Sequence, residues 1–355
     1  MTKKTQVLII GGGPAGLSAA IYTSRAKLKT TVIAGIRTGG QLMWTSIIEN
    51  FAGFHQGIKG PQLMINMIKQ AQNFGSEIDY SHVSAVDFSH QPFKIWTTIP
   101  LKHTYQELEN LPLKQLSVIQ QEIKRQSPNY LTNSVIVATG SVPLNINVDG
   151  EKKFLGKGIS ICAVCDSSFY KDKDVVVVGG GDVALEDALT LTKFAKNVTI
   201  LHRKDKFKAS QVMQEKVFKN KKIKILWNSQ ITKFIGQNKL EKIKINTNGQ
   251  IKELLINGVF LAIGSKSATS IFASNIKLDE KGFIVTRKSL TKLGLELALK
   301  NLKGPIINYP SMTNVLGVFG AGDCLDVHYR QAIIAAGSGA QAGIDTANYL
   351  ELKNI

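Results

Sequence analysis

The stretch that decides the fold is QVLIIGGGPAGLSAAIYTSRA, residues 6–26. A short apolar strand, Val7–Ile10, runs into the spacing Gly11-x-Gly13-x-x-Gly16, and a helical pattern follows. In this context the glycines permit a tight turn, a close approach of the backbone to a pyrophosphate, and close packing of helix against strand. The phosphate then meets free amides at the helix N-terminus. The stretch predicts a Rossmann-like unit that binds a dinucleotide, and the alternative is a glycine-rich turn without a ligand.

A second stretch, KDVVVVGGGDVALEDALTLTKFA at residues 173–195, repeats the same pattern. The strand Val175–Val178 leads to Gly179-x-Gly181-x-x-Ala184 and then to another helix. Alanine is an accepted variant at the third position. The chain therefore contains two predicted dinucleotide sites.

The residues after the second strand of each unit differ in charge. In the first unit the strand Thr31–Ala34 ends at Gly35, where a ribose-binding acid is common. In the second unit the strand Val198–Leu201 is followed by basic residues, namely His202, Arg203, Lys204 and Lys208. Cations at this place favour the 2′-phosphate of NADP, although a surface charge run is the alternative.

A third stretch near the C-terminus, residues 317–343, completes the predicted first site. It reads as a strand, a Gly320-x-Gly322-Asp323 turn, and a small-residue helix that follows Arg330, Gln331 and Ala332. Asp323 is placed to accept hydrogen bonds from a ribityl chain, or to cap a helix. The helix N-terminus is suited to an electron-rich flavin edge. Two sites of this kind predict FAD in one unit and NADPH in the other, with electrons passing between them.

Composition limits the other possibilities. A length of 355 residues predicts two domains, and no apolar run reaches the roughly 18 residues that a membrane span requires. The net charge of +18 comes from scattered lysines without interleaved aromatic residues, so we expect a basic surface and no nucleic-acid partner. The N-terminus superficially resembles a secretory signal, but its apolar run stops at three glycines. Together with only three cysteines, this predicts a cytoplasmic protein.

Taken together, the chain resembles the low-molecular-weight, bacterial-type thioredoxin reductases of the class II pyridine nucleotide-disulfide oxidoreductases. The resemblance extends almost end to end and in the family's order. It is carried by GGGPAGLSAAIYTSRA, GGQL at Gly39–Leu42, IENFAGF at Ile48–Phe54, VIVATGS at Val135–Ser141, CAVCD at Cys162–Asp166, VVVVGGGDVALEDAL, LHRKDKFKAS, LAIGS at Leu261–Ser265 and GVFGAGDCLDVHYRQA.

The resemblance implies an α/β fold of two Rossmann-like, three-layer ββα dinucleotide-binding domains. The FAD domain would comprise residues 1–144 and 267–355, and the inserted NADPH domain, residues 145–266, would carry the cysteine pair. The implied cofactor-binding residues are Gly11, Gly13, Pro14, Ala15, Gly16, Gly40, Gln41, Leu42, Asn50, Ala138, Thr139, Gly140, Gly179, Gly181, Asp182, Val183, Ala184, His202, Arg203, Lys204, Lys208, Ile263, Gly264, Gly322, Asp323, Arg330, Gln331 and Ala332.

Four positions depart from the family pattern. Ser167 stands where glycine usually follows the CxxCD motif, and Ala52 replaces the proline of ENFPG. Lys204 and Lys208 stand where arginines are common. Lysine keeps the charge but loses bidentate geometry, so the preference for NADPH over NADH is expected to be weaker.

Cys162 and Cys165 admit three interpretations: a metal site, a structural staple or a reaction centre. Zinc normally needs four ligands, and neither Cys324 nor the six scattered histidines complete a set, so no metal is predicted. A loop this short restrains little of the unfolded chain. A redox disulfide remains, and it precedes the strand of the predicted NADPH domain.

The family resemblance implies roles for this pair. Cys165 would lie nearest the flavin, Cys162 would attack the disulfide of thioredoxin or a thioredoxin-like protein, and Asp166 would be the acid–base group. Asp166 as a turn or cap residue is the alternative. The NADPH domain would rotate on two connections, near Leu144 and Lys266, because nicotinamide and disulfide must each approach one flavin. The family also implies a homodimer.

Three other functions compete with this one. A ferredoxin- or flavodoxin-NADP reductase would lack the cysteine pair, and a ferredoxin- or flavin-linked thioredoxin reductase would lack a working NADPH site. A non-catalytic flavoprotein or redox sensor would use the same scaffold only for binding. Two insertions, Trp96–Asn133 and Arg287–Pro310, have no functional assignment and are expected to form surface helices or a partner contact.

Overall fold

The computed structural model describes residues 1–36, 38–45, 47–100, 104, 107–108, 111–292 and 309–354. The chain forms two compact units. The first unit comprises Met1–Ile47, Phe51–Val142 and Lys266–Ile355. The second unit comprises Ile48–Asn50 and Pro143–Ser265.

Helices and strands alternate along most of the chain. The described helices are α1 (Pro14–Arg25), α2 (Gly60–Asn73), α3 (Leu113–Lys124), α4 (Glu151–Phe154), α5 (Ala163–Asp166), α6 (Asp182–Leu191), α7 (Gln211–Lys219), α8 (Arg287–Lys292) and α9 (Ala332–Leu352). The described strands are β1 (Lys3–Ile10), β2 (Thr30–Ile33), β3 (Glu77–Asp79), β4 (Ala85–Asp87), β5 (Phe93–Trp96), β6 (Tyr130–Val137), β7 (Ser141–Pro143), β8 (Ile159–Ser160), β9 (Asp174–Val178), β10 (Asn197–Leu201), β11 (Ile223–Leu226), β12 (Ser229–Ile235), β13 (Lys242–Thr247), β14 (Gln250–Leu255), β15 (Gly258–Leu261), β16 (Ser265–Ser267) and β17 (Val318–Gly320).

The sheet of the first unit is built around β1. Its strand order is β3-β2-β1-β6-β5-β4, and β17 also pairs with β6. β1 is parallel to both neighbours, so that Ile10 pairs with Ile33 of β2 and with Val137 of β6. Val7–Ile10 is buried throughout, as expected for a central parallel strand covered on both faces.

Besides β1, strand β6 pairs with two further strands, each along a different part of its length. Its first half, at Tyr130–Thr132, is antiparallel to β5, and its second half, at Val135–Val137, is parallel to β17. The C-terminal strand therefore joins the same sheet as β1. This brings both ends of the sequence into one unit.

Helix α9 packs on α1 through small residues. A Cβ atom on Gly339 would lie 2.0 Å from the carbonyl oxygen of Ala15, and one on Gly343 would lie 2.9 Å from the carbonyl oxygen of Ala19. The small-residue pattern of α9 therefore permits close contact between the helix backbones.

The second unit repeats the parallel arrangement. Its five-stranded sheet has the order β11-β10-β9-β15-β8, and a three-stranded antiparallel sheet, β12-β13-β14, belongs to the same unit. The apolar run Val175–Val177 of β9 is buried, and α6 contributes Ala184, Leu185 and Ala188 to the same core. β7 and β16 pair with each other in a separate two-stranded sheet.

The predicted α/β class, with two parallel-sheet dinucleotide-binding units, is confirmed. Strand β1 begins at Lys3, four residues before its predicted start at Val7. In the first insertion, α3 begins directly after Pro112, and Gln120 on its buried face donates a hydrogen bond of 2.9 Å to the carbonyl of Ile271. Residues 101–103, 105–106 and 109–110 of that insertion, and residues 293–308 of the second, lie outside the described residues. Among the described helices, none has both the length and the apolar character that crossing a membrane requires.

Candidate functional site

The glycine loop of the first unit combines two sterically required glycines with one that faces open space. Gly11 has φ +122°, and a Cβ there would lie 2.2 Å from the carbonyl oxygen of Ala138. A Cβ on Gly16 would lie 1.9 Å from the carbonyl oxygen of Gly11. A Cβ on Gly13, by contrast, would meet no described atom within 4 Å. The fold itself leaves room at Gly13 for a close-approaching ligand.

The loop of the second unit has the same construction. A Cβ on Gly179 would lie 2.5 Å from the carbonyl oxygen of Ala262 and 2.6 Å from the Cβ of Ala184. One on Gly181 would meet nothing within 4 Å in the part of the chain that the structure describes. Gly13 and Gly181 each occupy the N-cap of the following helix, α1 and α6, without a side-chain cap. Both helix N-termini thus present backbone amides to a phosphate.

Other predicted residues of the first unit gather around its glycine loop. The amide of Gly39 donates to the carbonyl of Gly12 at 3.1 Å, and the Nε2 of Gln41 donates to the carbonyl of Ser141 at 2.7 Å. A Cβ on Gly40 would lie 3.7 Å from the Cα of Gly13. Leu42 follows in the same 3₁₀ turn, Gly40–Trp44.

The C-terminal motif meets the glycine loop at the start of α1. Pro14 and Ala15 form the first turn of α1, and a Cβ on Gly322 would lie 2.7 Å from the Cβ of Ala15. Asp323 follows in the 3₁₀ turn Gly322–Cys324, and Gln331 and Ala332 are the N-cap and first residue of α9. The structure therefore brings the two ends of the chain to one site.

Polar atoms in this first site match a flavin dinucleotide. Within the described ranges, the Oγ1 of Thr139 and the Nε of Arg330 are buried without a hydrogen-bond partner. Burial and the nearby Asp326 carboxylate raise the pKa of Asp323 to about 6, although Arg330 opposes the shift. Buried polar groups without partners are costly, so a ligand that pairs with them is favoured. These residues fit FAD, with Ala138 and Gly140 flanking Thr139 at the end of β6.

Asn50 is the one predicted flavin residue that falls elsewhere. It belongs to Ile48–Asn50, the short segment that is part of the second unit.

The basic loop of the second unit is attached to its glycine loop by backbone hydrogen bonds. The amides of Lys208 and Ala209 both donate to the carbonyl of Gly180, at 2.8 and 3.2 Å. Arg203, Lys204 and Lys208 are exposed. Cations next to a phosphate-binding loop fit the 2′-phosphate of NADPH.

Asp182 and the nearby predicted residues complete this second site. The Oδ1 of Asp182 accepts hydrogen bonds from the backbone amide and hydroxyl of Ser210, at 2.9 and 2.6 Å. Val183 follows it at the start of α6 and is 54% exposed. Ile263 and Gly264 come just after β15, next to Ala262, whose carbonyl oxygen meets Gly179.

His202 is buried rather than exposed to a ligand. Its side chain is 8% exposed, with Nδ1 2.9 Å from the carbonyl oxygen of Gly179 and Nε2 3.0 Å from that of Lys206. A Cβ on Gly180 would lie 2.2 Å from the ring, so only glycine fits there. The sequence pattern gave His202 a place beside the cofactor but did not indicate this inward orientation.

The cysteine pair of the second unit forms a disulfide. The S–S distance between Cys162 and Cys165 is 2.10 Å, and their Cα atoms are 5.3 Å apart. Cys162 is the N-cap of α5, and its Sγ accepts a hydrogen bond of 3.2 Å from the amide of Cys165. Both side chains are half-buried. The pair can therefore be reached by a reductant or by a partner thiol.

Asp166 ends the same short helix in a partly apolar place. Burial raises the pKa of this carboxyl, and a hydrogen bond from the Ser160 side chain opposes the rise. Burial and the charge of Asp166 raise the pKa of the nearby Tyr170 to about 12. Asp166 thus has the elevated proton affinity that an acid donating to a thiolate needs.

Ser167 is compatible with its backbone. Its φ of −58° and ψ of −33° are ordinary right-handed helical values, so glycine is not required there. The side chain is 4% exposed. This departure from the family pattern therefore does not strain the turn after the disulfide.

The remaining cysteine is separate from this chemistry. Cys324 is fully buried, and its Sγ donates to the carbonyl of Ala321 at 3.1 Å. Burial raises its pKa to about 12. In the described part of the chain, His, Cys, Asp and Glu side chains form no group of three or more that could hold a metal ion.

Several known proteins of similar sequence and structure are described as thioredoxin reductases. The sequence profile of the family described as pyridine nucleotide-disulphide oxidoreductase matches residues 5–339. A thioredoxin reductase of Rickettsia prowazekii is 39% identical over 351 residues, which cover 98% of each chain. The solved thioredoxin reductase of Giardia duodenalis has a TM-score of 0.79 at 37% identity and covers 99% of this chain and 100% of its own. That of Streptococcus pyogenes has a TM-score of 0.80 at 30% identity, with the same coverage.

Proposed function

The chain belongs to the pyridine nucleotide-disulphide oxidoreductase family, and we propose that it is an NADPH-dependent thioredoxin reductase that uses FAD and the Cys162–Cys165 disulfide. One observation carries the proposal: a disulfide lies in the same unit as a complete dinucleotide loop with exposed cations. A ferredoxin- or flavodoxin-NADP reductase has no use for that disulfide. A ferredoxin-linked thioredoxin reductase has no use for the cations.

The net reaction converts NADPH, a proton and oxidised thioredoxin into NADP⁺ and reduced thioredoxin. When bound, FAD accepts a hydride from NADPH and supplies two electrons to the Cys162–Cys165 disulfide. Gly13 and Gly181 leave the space in which the two pyrophosphates would lie. Thr139, Asp323 and Arg330 would hold the flavin dinucleotide, and Arg203, Lys204 and Lys208 the 2′-phosphate.

Cys162 is proposed as the thiolate that attacks thioredoxin. The amide of Cys165 points at its Sγ and would stabilise negative charge there after reduction. Attack forms a mixed disulfide between Cys162 and one thioredoxin sulfur and releases the other as a thiolate. Cys165 then attacks the Sγ of Cys162, which restores the internal disulfide and frees the second thioredoxin sulfur.

Asp166 is proposed as the group that moves protons in this exchange. Its raised pKa, caused by burial, keeps a proton available for the leaving thiolate. The reverse transfer would deprotonate the dithiol before attack. Asp166 is therefore assigned a different task from Ser160, which only hydrogen-bonds to it.

The proposal also covers the domain boundaries, the domain motion, the oligomeric state and the location of the protein. We propose that residues 1–144 with 267–355 form the FAD domain, that residues 145–266 form the NADPH domain, and that the NADPH domain rotates between half-reactions. We also propose that the protein forms a homodimer through the FAD domain and that it is cytoplasmic. The family resemblance supports the dimer, and the sparing use of cysteine supports a reducing compartment.

Anaerobic titration of the purified holoenzyme with NADPH, followed by flavin absorbance, tests the electron route. We expect NADPH to bleach the flavin, and added thioredoxin to restore its colour with stoichiometric release of thiols. Bleaching without thioredoxin reduction would favour a flavoprotein sensor. Reduction only by an iron–sulfur or flavin donor would favour the ferredoxin-linked alternative.

A further inference from the structure

We propose that Ser160 is a positioning residue that links the attacking cysteine, Cys162, to the proton donor, Asp166. The inference deepens the proposed function and rests on it, because it assigns a task within the same thiol chemistry. Ser160 ends the short strand β8 and is 5% exposed. Its hydroxyl therefore lies inside the second unit, just before the chain enters the disulfide helix α5.

The Ser160 hydroxyl contacts both backbone groups of Cys162. Its Oγ accepts a hydrogen bond of 3.1 Å from the Cys162 amide and lies 3.3 Å from the Cys162 carbonyl oxygen. The same carbonyl accepts the Asp166 amide at 3.2 Å, which closes the turn of α5. The backbone that carries the attacking sulfur is thus held on both sides.

The same hydroxyl also hydrogen-bonds to the Asp166 carboxyl. A serine that only shapes a turn needs one contact, from its Oγ to the amide two residues further on. The contacts with the Cys162 carbonyl and the Asp166 carboxyl are additional to that one. One buried hydroxyl therefore touches the backbone of the nucleophile and the side chain of the acid.

The hydroxyl has one proton and two lone pairs, so its hydrogen bonds depend on the state of Asp166. A protonated Asp166 can donate to Ser160, which then donates to the Cys162 carbonyl. After Asp166 has given its proton to the departing thioredoxin thiolate, Ser160 can donate to the new carboxylate instead. Asp166 regains a proton from solvent, which is the proton consumed in the net reaction. A buried carboxylate without a donor is costly, so this reversal lowers the free-energy cost of proton transfer.

The titratable side chains of the two elements that pack most extensively on α5 are all acids. They are Tyr170 on the following 3₁₀ turn and Asp182, Glu186 and Asp187 on α6. Strand β15, which pairs with β8, carries no charged side chain. A cation, Lys173, lies 5.8 Å from the centroid of the Tyr170 ring and donates to the carbonyl of Phe169.

These surroundings make the hydrogen bond from Ser160 important to Asp166. Negative charge on the α6 carboxylates disfavours a further charge on Asp166, as burial does. The Ser160 hydroxyl acts in the opposite direction, because it contacts the carboxyl itself. Removal of this donor should therefore make Asp166 hold its proton more tightly and release it more slowly.

A matched pair of variants at Ser160 separates the hydroxyl from the shape of the side chain. Valine and threonine have the same shape and differ at one position, where valine has a methyl group and threonine a hydroxyl. Rapid mixing of the reduced holoenzyme with excess oxidised thioredoxin, at a series of pH values, measures the rate of thioredoxin reduction in one turnover. The decline of this rate at alkaline pH reports loss of the proton from Asp166.

Ser160→Val should slow this rate about tenfold and move its alkaline decline to higher pH by about one unit, because the carboxylate loses a donor. Ser160→Thr keeps the hydroxyl, so we expect a rate within about threefold of wild type and a decline at the wild-type pH. Flavin reduction by NADPH should be unchanged in both variants. Ser168→Ala is a further control: its hydroxyl donates to Glu49 at 2.9 Å, so its loss should not move the decline.

An alkaline decline at the same pH in Ser160→Val and Ser160→Thr would overturn the inference and leave Ser160 as a turn residue. A shift in Ser168→Ala, or the absence of any decline in wild type, would overturn it as well. If Ser160→Val does not fold, Ser160→Ala, which leaves space instead of filling it, should give the same slower rate and shifted decline. Reduced wild-type enzyme that passes no electrons to thioredoxin would instead reject the proposed function, so the two failures are distinct.

Discussion

The backbone amide of Cys165 donates a hydrogen bond of 3.2 Å to the Sγ of Cys162. The bond places a backbone amide from the first turn of α5 at the sulfur of Cys162. An N–H directed at sulfur stabilises the thiolate over the thiol. After reduction, Cys162 is therefore the better placed nucleophile, and Cys165 the better placed resolving thiol.

The different roles of Cys162 and Cys165 predict different outcomes for their serine variants. In Cys165→Ser, Cys162 can attack oxidised thioredoxin but the mixed disulfide cannot be resolved, so a covalent 1:1 complex should accumulate. Non-reducing electrophoresis after mixing with thioredoxin measures it. Cys162→Ser should form little of this complex, and both variants should lose thioredoxin turnover by at least about 10³-fold. Complex formation by Cys162→Ser alone would reverse the assignment.

Asp166→Asn tests the proton donor. We expect kcat for thioredoxin reduction to fall about 100-fold, since asparagine cannot donate the proton, while flavin reduction by NADPH stays unchanged. The pKa of Asp166 is raised by burial, so the wild-type acid keeps its proton to higher pH and loses it as pH rises. Wild-type kcat should therefore decline above that pKa, and the variant should lack this decline. A kcat within about twofold of wild type would exclude the role.

The glycine loops separate ligand contacts from folding requirements. A Cβ on Gly181 meets no described atom within 4 Å, whereas one on Gly179 would lie 2.5 Å from the carbonyl oxygen of Ala262. Gly181→Ala should therefore fold and keep its FAD but bind NADP⁺ at least about tenfold more weakly. Gly179→Ala should destabilise the second unit. Calorimetric measurement of NADP⁺ binding and thermal unfolding distinguish the two variants. A normal NADP⁺ affinity in Gly181→Ala would contradict the assignment of this loop as the pyrophosphate-binding site.

Much of the fold could be predicted because each glycine loop is a local pattern whose geometry follows from its own residues. Val7–Ile10 and Gly11–Gly16 specify strand, turn and helix without help from distant parts of the chain. The orientation of His202 could not be predicted in this way. It depends on carbonyls at Gly179 and Lys206 that only the folded sheet brings together. Likewise, the pairing of Ser210 with Asp182 joins residues 28 positions apart.

The pKa of Cys324 predicts a simple thiol count. Burial raises it to about 12, so the buried thiol should not react in the native protein. We expect a chromogenic thiol reagent to find two reactive thiols after NADPH reduction, from Cys162 and Cys165, and three after denaturation under reducing conditions. A third fast thiol in the native reduced enzyme would contradict the burial of Cys324.

Asp187 predicts how stability depends on pH. Burial and the charge of Glu186 raise its pKa to about 7, from an ordinary value of 3.8. The folded state therefore binds this proton more tightly than the unfolded chain does. The stabilisation that protonated Asp187 gives the folded state is present at low pH and is lost as pH rises from about 4 to about 7. Asp187→Asn cannot titrate. Because the carboxyl is partly exposed, we expect the free energy of unfolding of Asp187→Asn to exceed that of wild type by only about 1 to 2 kcal/mol at pH 8.

Thermal unfolding of the holoenzyme at pH 5 and pH 8 measures this difference. Asp187→Asn should raise Tm by about 2 to 6 °C at pH 8 and by clearly less at pH 5. Glu186→Gln is the matched control: it removes the neighbouring charge but leaves the partly buried Asp187 carboxyl, so its gain at pH 8 should be smaller. An equal gain for Asp187→Asn at both pH values would mean that the variant acts through packing or helix propensity, because only a titrating carboxyl produces a pH-dependent difference.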